Sequence, residues 1–73
     1  MSDQELNSKR IGERIRKERT VRLIKQETLG KKVNLSKSEI SRIENGKREI
    51  KLSKLIYIAK GIGVNPSVFL DNE

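Results

Sequence analysis

The sequence contains no cysteine, no histidine and no tryptophan. Without thiols there is no disulfide staple, and without thiols or imidazoles a zinc site or a nucleophile–base pair lacks its usual groups. Aspartate occurs only as Asp3 and Asp71, so no acid/base or metal constellation is visible; an enzyme is not expected, nor is a metal or cofactor. The only aromatics are Tyr57 and Phe69, both expected in the core, which leaves no platform for stacking single-stranded bases. No apolar run approaches the roughly 20 residues of a membrane helix, and no signal-peptide pattern is present. The expectation is a cytoplasmic protein with no membrane partner.

What the chain does have is positive charge. Its 73 residues carry 17 Lys+Arg against 10 Asp+Glu, a net of +7. The imbalance is concentrated: residues 9–60 hold every basic residue and only six acids, a local net of +11. A basic middle in a folded domain is the electrostatic footprint of a polyanionic partner. The length allows one domain, which buries only about 60% of its unfolded surface and stands to gain from dimerisation. Apolar residues are 33% of the chain, yet they recur at helical spacing, so the chain is not read as disordered.

Residues 36–47 organise the rest. Ser36 followed three positions later by Glu39 is a capping box, and Leu35 with Ile40 forms the accompanying hydrophobic staple. Gly46 supplies the stop, as the residue past the last turn that adopts a left-handed backbone without a Cβ penalty. At about 100° per residue, Lys37, Ser38, Ser41 and Arg42 share one arc of roughly 140°, with Ile40 and Ile43 opposite and Glu39 on the flank. Arg and Lys suit the acceptors of guanine, and serine bonds to almost any base edge. Taken alone, such a stripe reads more readily as a solvated helix face, and context must overturn that.

Elsewhere the chain reads as four more helices. Residues 1–8 are polar and expected to fray up to Asn7, and either Asn7 or Ser8 caps a first helix marked by Ile11 and Ile15. That helix is basic outside, through Arg10, Arg14, Arg16, Lys17 and Arg19, and gives way near Thr20 to a connection without a glycine stop. A second helix over residues 25–32 buries Leu29, Gly30 and Val33. Glycine inside a helix costs about 1 kcal/mol against alanine, so Gly30 is expected to admit another helix at close range. Asn34 stands where the turn wants a left-handed residue. Leu52, Leu55, Ile56, Ala59 and Ile62, widened by Ile58, form the apolar stripe of a fourth helix that Gly61 and Gly63 end. Asn65 and Pro66 then start a short fifth. The expected fold is all-α, five helices over residues 9–70 with a short tail at 71–73.

Residues 25–47 resemble the helix-turn-helix of the Xre family, the group containing lambdoid phage repressors and Cro proteins. Gln26-Glu27, Leu29, the turn at 33–36 and the run from Ile40 to Lys47 match, as do Ile11 to Arg16 upstream and Ile58-Ala59-Lys60 and Gly63-Val64 downstream. The chain departs from the family at Lys25, Gly30, Asn34 and Ile50, where a capping Ser/Thr, alanine, glycine and proline are usual. The resemblance implies a bacterial or phage-encoded transcriptional regulator with helices 2 and 3 as the motif and helix 3 in the DNA major groove. Lys37, Ser38 and Arg42 would face base edges, and Ser41 an edge or a phosphate. Gln26, Asn45, Lys47 and Arg48 would hold the backbone. Arg19 and Glu44 occupy positions that pair as ions in the family, which gives Arg19 a structural role beside a possible phosphate contact.

The expected function is therefore sequence-specific binding of double-stranded DNA, as a small repressor or controller protein. A palindromic operator implies a homodimer, with Val68, Leu70, Ile50 and Ile56 as expected interface residues; Val68 and Phe69 could instead belong to the core. Seventy-three residues leave no room for an effector domain, so control is expected from concentration, dimerisation or a protein partner. The alternative is an interaction module or antitoxin-like partner on the same fold.

Overall fold

The computed structural model describes residues 7–70. They form α1 (Ser8–Val21), α2 (Gln26–Val33), α3 (Lys37–Glu44), α4 (Leu52–Ile62) and α5 (Ser67–Leu70), with no strand among the described residues. The expected frayed start and the tail at 71–73 lie outside the described residues, except that Asn7 and Ser8 belong to α1 and its cap.

Three helix starts carry their own caps, one of them α5, where Asn65 Oδ1 accepts the Ser67 amide at 2.9 Å. Asn7 Oδ1 accepts the Arg10 amide at 3.0 Å, and at α3 the Ser36–Glu39 box closes in both directions. By contrast α2 and α4 begin at Lys25 and Lys51, which offer no acceptor, and neither has a side-chain cap. The helix ends follow one rule. Leu23, Asn34, Gly46 and Gly63 all take positive φ, and the amide of the next residue reaches back five positions. Those bonds run from Ile24 to Arg19, Leu35 to Gly30, Lys47 to Arg42 and Val64 to Ala59, at 2.8–3.1 Å. They satisfy carbonyls that the helix leaves open. The missing glycine stop of α1 is thus supplied by Leu23 at φ 58°, a side chain 90% exposed that gains nothing from packing there.

The core gathers Ile11 and Ile15 of α1, Leu29 and Val33 of α2, Ile40 and Ile43 of α3, Ile50, four residues of α4, and Phe69. On α4 the buried stripe is Leu55, Ile58, Ala59 and Ile62. Leu52 and Ile56, expected in that stripe, face solvent instead. The stripe is rotated toward Ile58 because α4 meets α2 through Gly61, where an added Cβ would lie 2.8 Å from Val33 Cγ1. Gly61 is therefore a contact inside the helix, and Gly63 alone makes the stop. Tyr57, expected in the core, is 48% exposed for the same reason.

Backbone proximity fixes the placement of α3. At Gly30 a Cβ would meet the Leu35 carbonyl oxygen at 2.4 Å, so the close approach is that of the turn into α3, not of another helix. At Gly12 it would meet the Ile43 carbonyl oxygen at 2.2 Å, so α1 crosses directly over the end of α3. These two contacts hold both ends of α3 with little freedom to shift.

Candidate nucleic-acid interface

The division of α3 follows from its sequence. Ile40, Ile43 and Glu44 are buried, Lys37, Ser38 and Arg42 are exposed, and Ser41 is half-buried. A helix of only eight residues is marginal by itself. Its order comes from the capping box, from the apolar back seated in the core, and from a buried polar anchor at its last residue.

That anchor is Glu44, 3% exposed. Its carboxylate accepts from Arg19 Nε at 2.5 Å and Nη2 at 2.9 Å, and from Gln26 Nε2 at 3.0 Å. The third arm of Arg19, Nη1, donates to the Ile24 carbonyl at 2.7 Å. One guanidinium thereby ties α1, the α1–α2 turn and the end of α3 together. Such planar, two-point pairing is a property of arginine that lysine cannot reproduce. Gln26 is drawn into this network at the start of α2 and is half-buried, leaving one amide hydrogen free for another acceptor.

Past α3, Asn45, Lys47 and Arg48 are exposed. Asn45 Nδ2 lies 3.4 Å from Ser41 Oγ, and Arg48 Nη1 donates to Glu39 Oε2 at 3.1 Å. The Ser36 amide and the Arg48 guanidinium, in that order, hold the Glu39 carboxyl below its usual range. At the end of α1 the Arg22 hydrogen bond lowers the Glu18 carboxyl likewise, against the opposing effect of burial, with Arg14 adding less than Arg22.

Two residues with no expected site role join this surface. Arg16 and Lys25 line an open cleft of about 410 Å³ with Arg19, Gln26, Glu27 and Lys37. It brings three unspent cations around the uncapped amides of α2, since Arg19 is already committed to Glu44. The signal was in the sequence: a lysine at the cap position accepts nothing, so the first amides of α2 stay open to an anion.

The four expected interface residues divide differently. Ile50, in the α3–α4 loop, is 6% exposed and belongs to the core, so it is removed from the expected dimer surface. Ile56 and Leu70 are each 42% exposed, and Val68 is half-buried. Leu52, one turn before Ile56 on α4, and Tyr57 add exposed apolar surface that was not expected.

Two helices joined by a tight left-handed turn, the second capped, cationic outside and locked at its far end, define a helix-turn-helix unit. The chain belongs to the helix-turn-helix family, whose model matches residues 15–69, and within it to the Xre type that includes lambdoid repressors. Family and fold are those of DNA-binding transcriptional regulators and not of enzymes. The sequence is 34% identical over 62 residues to an uncharacterized transcriptional regulator in the ATPase CF(0) region of Rhodospirillum rubrum, a match covering 85% of this chain and 57% of that protein. Among solved structures it is similar to the restriction-modification controller protein C.AhdI from Aeromonas hydrophila, with 29% identity, TM-score 0.77, and 81% and 86% of the two chains covered. It is also similar to the DNA-binding domain of the P22 C2 repressor, with 34% identity, TM-score 0.79, and 88% and 84% covered. Among the described residues no helix is long and apolar enough to cross a membrane.

Proposed function

We propose that this protein is a sequence-specific regulator that binds a palindromic double-stranded DNA operator as a homodimer, with α3 in the major groove. One observation carries the reading: Lys37, Ser38 and Arg42 project from a helix whose opposite face and far end are fixed in the core. A reading head must be rigid to discriminate, because a bidentate base contact worth about 1–3 kcal/mol depends on geometry.

Around that head the groups suited to phosphate lie on two sides. Gln26, Lys25 and Arg16 flank the start of α2, and Asn45, Lys47 and Arg48 follow the end of α3. A helix in the groove needs grips of this kind on both bordering strands. Dimerisation is assigned to the exposed apolar residues of α4 and α5, with Ile56, Leu70 and Val68 as its centre and Leu52 and Tyr57 beside them. A two-fold pair would set half-sites about one helical turn apart. The similarity to a restriction-modification controller protein and to a repressor domain supports a compact switch of either kind, acting in the cytoplasm.

Selection of bound duplexes from a random pool, followed by anisotropy titrations at low and moderate salt, tests the reading. The expected product is a symmetric site whose affinity falls steeply as salt rises. Recovery of no preferred sequence, with binding indifferent to salt, would favour the protein-interaction alternative.

A further inference from the structure

Glu39 joins the first turn of α3 to the loop that follows the same helix, nine residues away. Its Oε1 accepts the Ser36 amide at 2.9 Å, and its Oε2 accepts Arg48 Nη1 at 3.1 Å. In return its own amide donates to Ser36 Oγ at 3.0 Å. Capping alone does not call for a charged residue, since glutamine serves the same box at this position. Nor does stability account for the ion pair: both side chains are about two-fifths exposed, and such pairs contribute little to folding. A carboxylate on the flank of a DNA-reading helix also repels phosphate. Its placement there needs a different reason.

Geometry supplies one. Arg48 gives Glu39 a single nitrogen, and its side chain stays 43% exposed, with the remaining donors available to another acceptor. An arginine on a free loop samples many rotamers, whereas one held by a carboxylate on the recognition helix keeps a fixed offset from Lys37, Ser38 and Arg42. We propose that Glu39 is a positioning residue. It holds Arg48 against the DNA backbone in register with the base-reading face, so that the phosphate contact and the base contacts are made together or not at all. This rests on the reading of α3 as the DNA-recognition helix.

The test is a double-mutant cycle on DNA binding, using wild type, Glu39→Gln, Arg48→Ala and the double variant. Each is titrated against the selected operator and a random duplex, and thermal unfolding is recorded in parallel. Glutamine preserves the cap, so the unfolding midpoint of Glu39→Gln should stay close to wild type. Operator affinity should fall about three-fold or more, within the range found for residues in direct contact. Affinity for random DNA should not fall, because a negative charge has been removed. In the Arg48→Ala background, Glu39→Gln should no longer weaken operator binding. Equal losses in both backgrounds, or tighter binding to both duplexes with discrimination unchanged, would overturn the positioning role while leaving the DNA-binding reading intact. A wild-type protein with no salt-dependent affinity for any duplex would overturn both.

Discussion

Replacing Glu44 by alanine is the most informative test of how the recognition helix is held. The substitution removes the acceptor of three hydrogen bonds and leaves the Arg19 guanidinium with the Ile24 carbonyl as its remaining partner. Both side chains are deeply buried, at 10% and 1% exposure, so water cannot readily take the place of the carboxylate. Breaking such a pair from one side costs about 3–5 kcal/mol, mostly the penalty of a stranded charge. A domain of 73 residues has a total stability of roughly 4–11 kcal/mol, so the variant should lose a large part of it. At about 4–8 °C per kcal/mol, the midpoint should drop by some 12–40 °C. Urea unfolding followed by circular dichroism, with thermal scans, measures both quantities. Replacing the pair together, Arg19→Met with Glu44→Leu, should recover much of the loss, because no charge is then buried alone. A loss below about 1 kcal/mol for Glu44→Ala is the value expected of an exposed pair, and would refute the anchor.

Four further outcomes are expected. Gly30→Ala should destabilise by about 1–3 kcal/mol, because its Cβ would press on the Leu35 carbonyl rather than on a flexible side chain; a more stable variant in urea would contradict the contact. Leu23→Gly should stabilise by roughly 0.5–1 kcal/mol, since the left-handed cost of an L side chain is relieved where nothing is packed, less the added chain entropy of glycine. A lower midpoint would show a hidden contact. Arg42→Ala should cost about 1–3 kcal/mol on the operator and relax preference at one base position; equal losses on operator and random DNA would remove its base-reading role. The Glu39 carboxyl should titrate below 4.5 by NMR, and because its folded pKa is depressed, the charge-assisted part of its bonds to the Ser36 amide and Arg48 is complete at neutral pH and is lost as pH falls through that lowered value. An ordinary or raised value would argue against the Ser36 and Arg48 bonds in solution.

The parts of the fold written most plainly in the sequence were those set by local chemistry. The Ser36–Glu39 box, Gly46, Asn34 and the Asn65 cap each act within a few residues, and each stands where its side chain or backbone preference places it. Features decided by distant partners were harder to read. Leu23 ends α1 against its own preference because the chain must turn for Arg19 to reach both Ile24 and Glu44. The phase of α4 depends on Gly61 meeting Val33, which rotates Ile56 and Tyr57 outward, and no periodicity within α4 alone contains that information. Ile50 looks available in a loop, yet it joins the core cluster and is buried there. For the site, the outward arc of α3 was legible because eight residues with two buried isoleucines fix their own faces. The engagement of Gln26 with Glu44 and of Arg48 with Glu39 was not, since each joins residues on separate segments.

In the proposed complex α3 reads DNA with its cationic face while α4 and α5 stay clear of the duplex. Backbone amide shifts of the labelled protein, followed during titration with the selected operator, test it most directly. The largest changes are expected at residues 36–42, with a second group at 25–27 and 45–48. Changes centred on α4 and α5, with residues 36–42 unmoved, would contradict it.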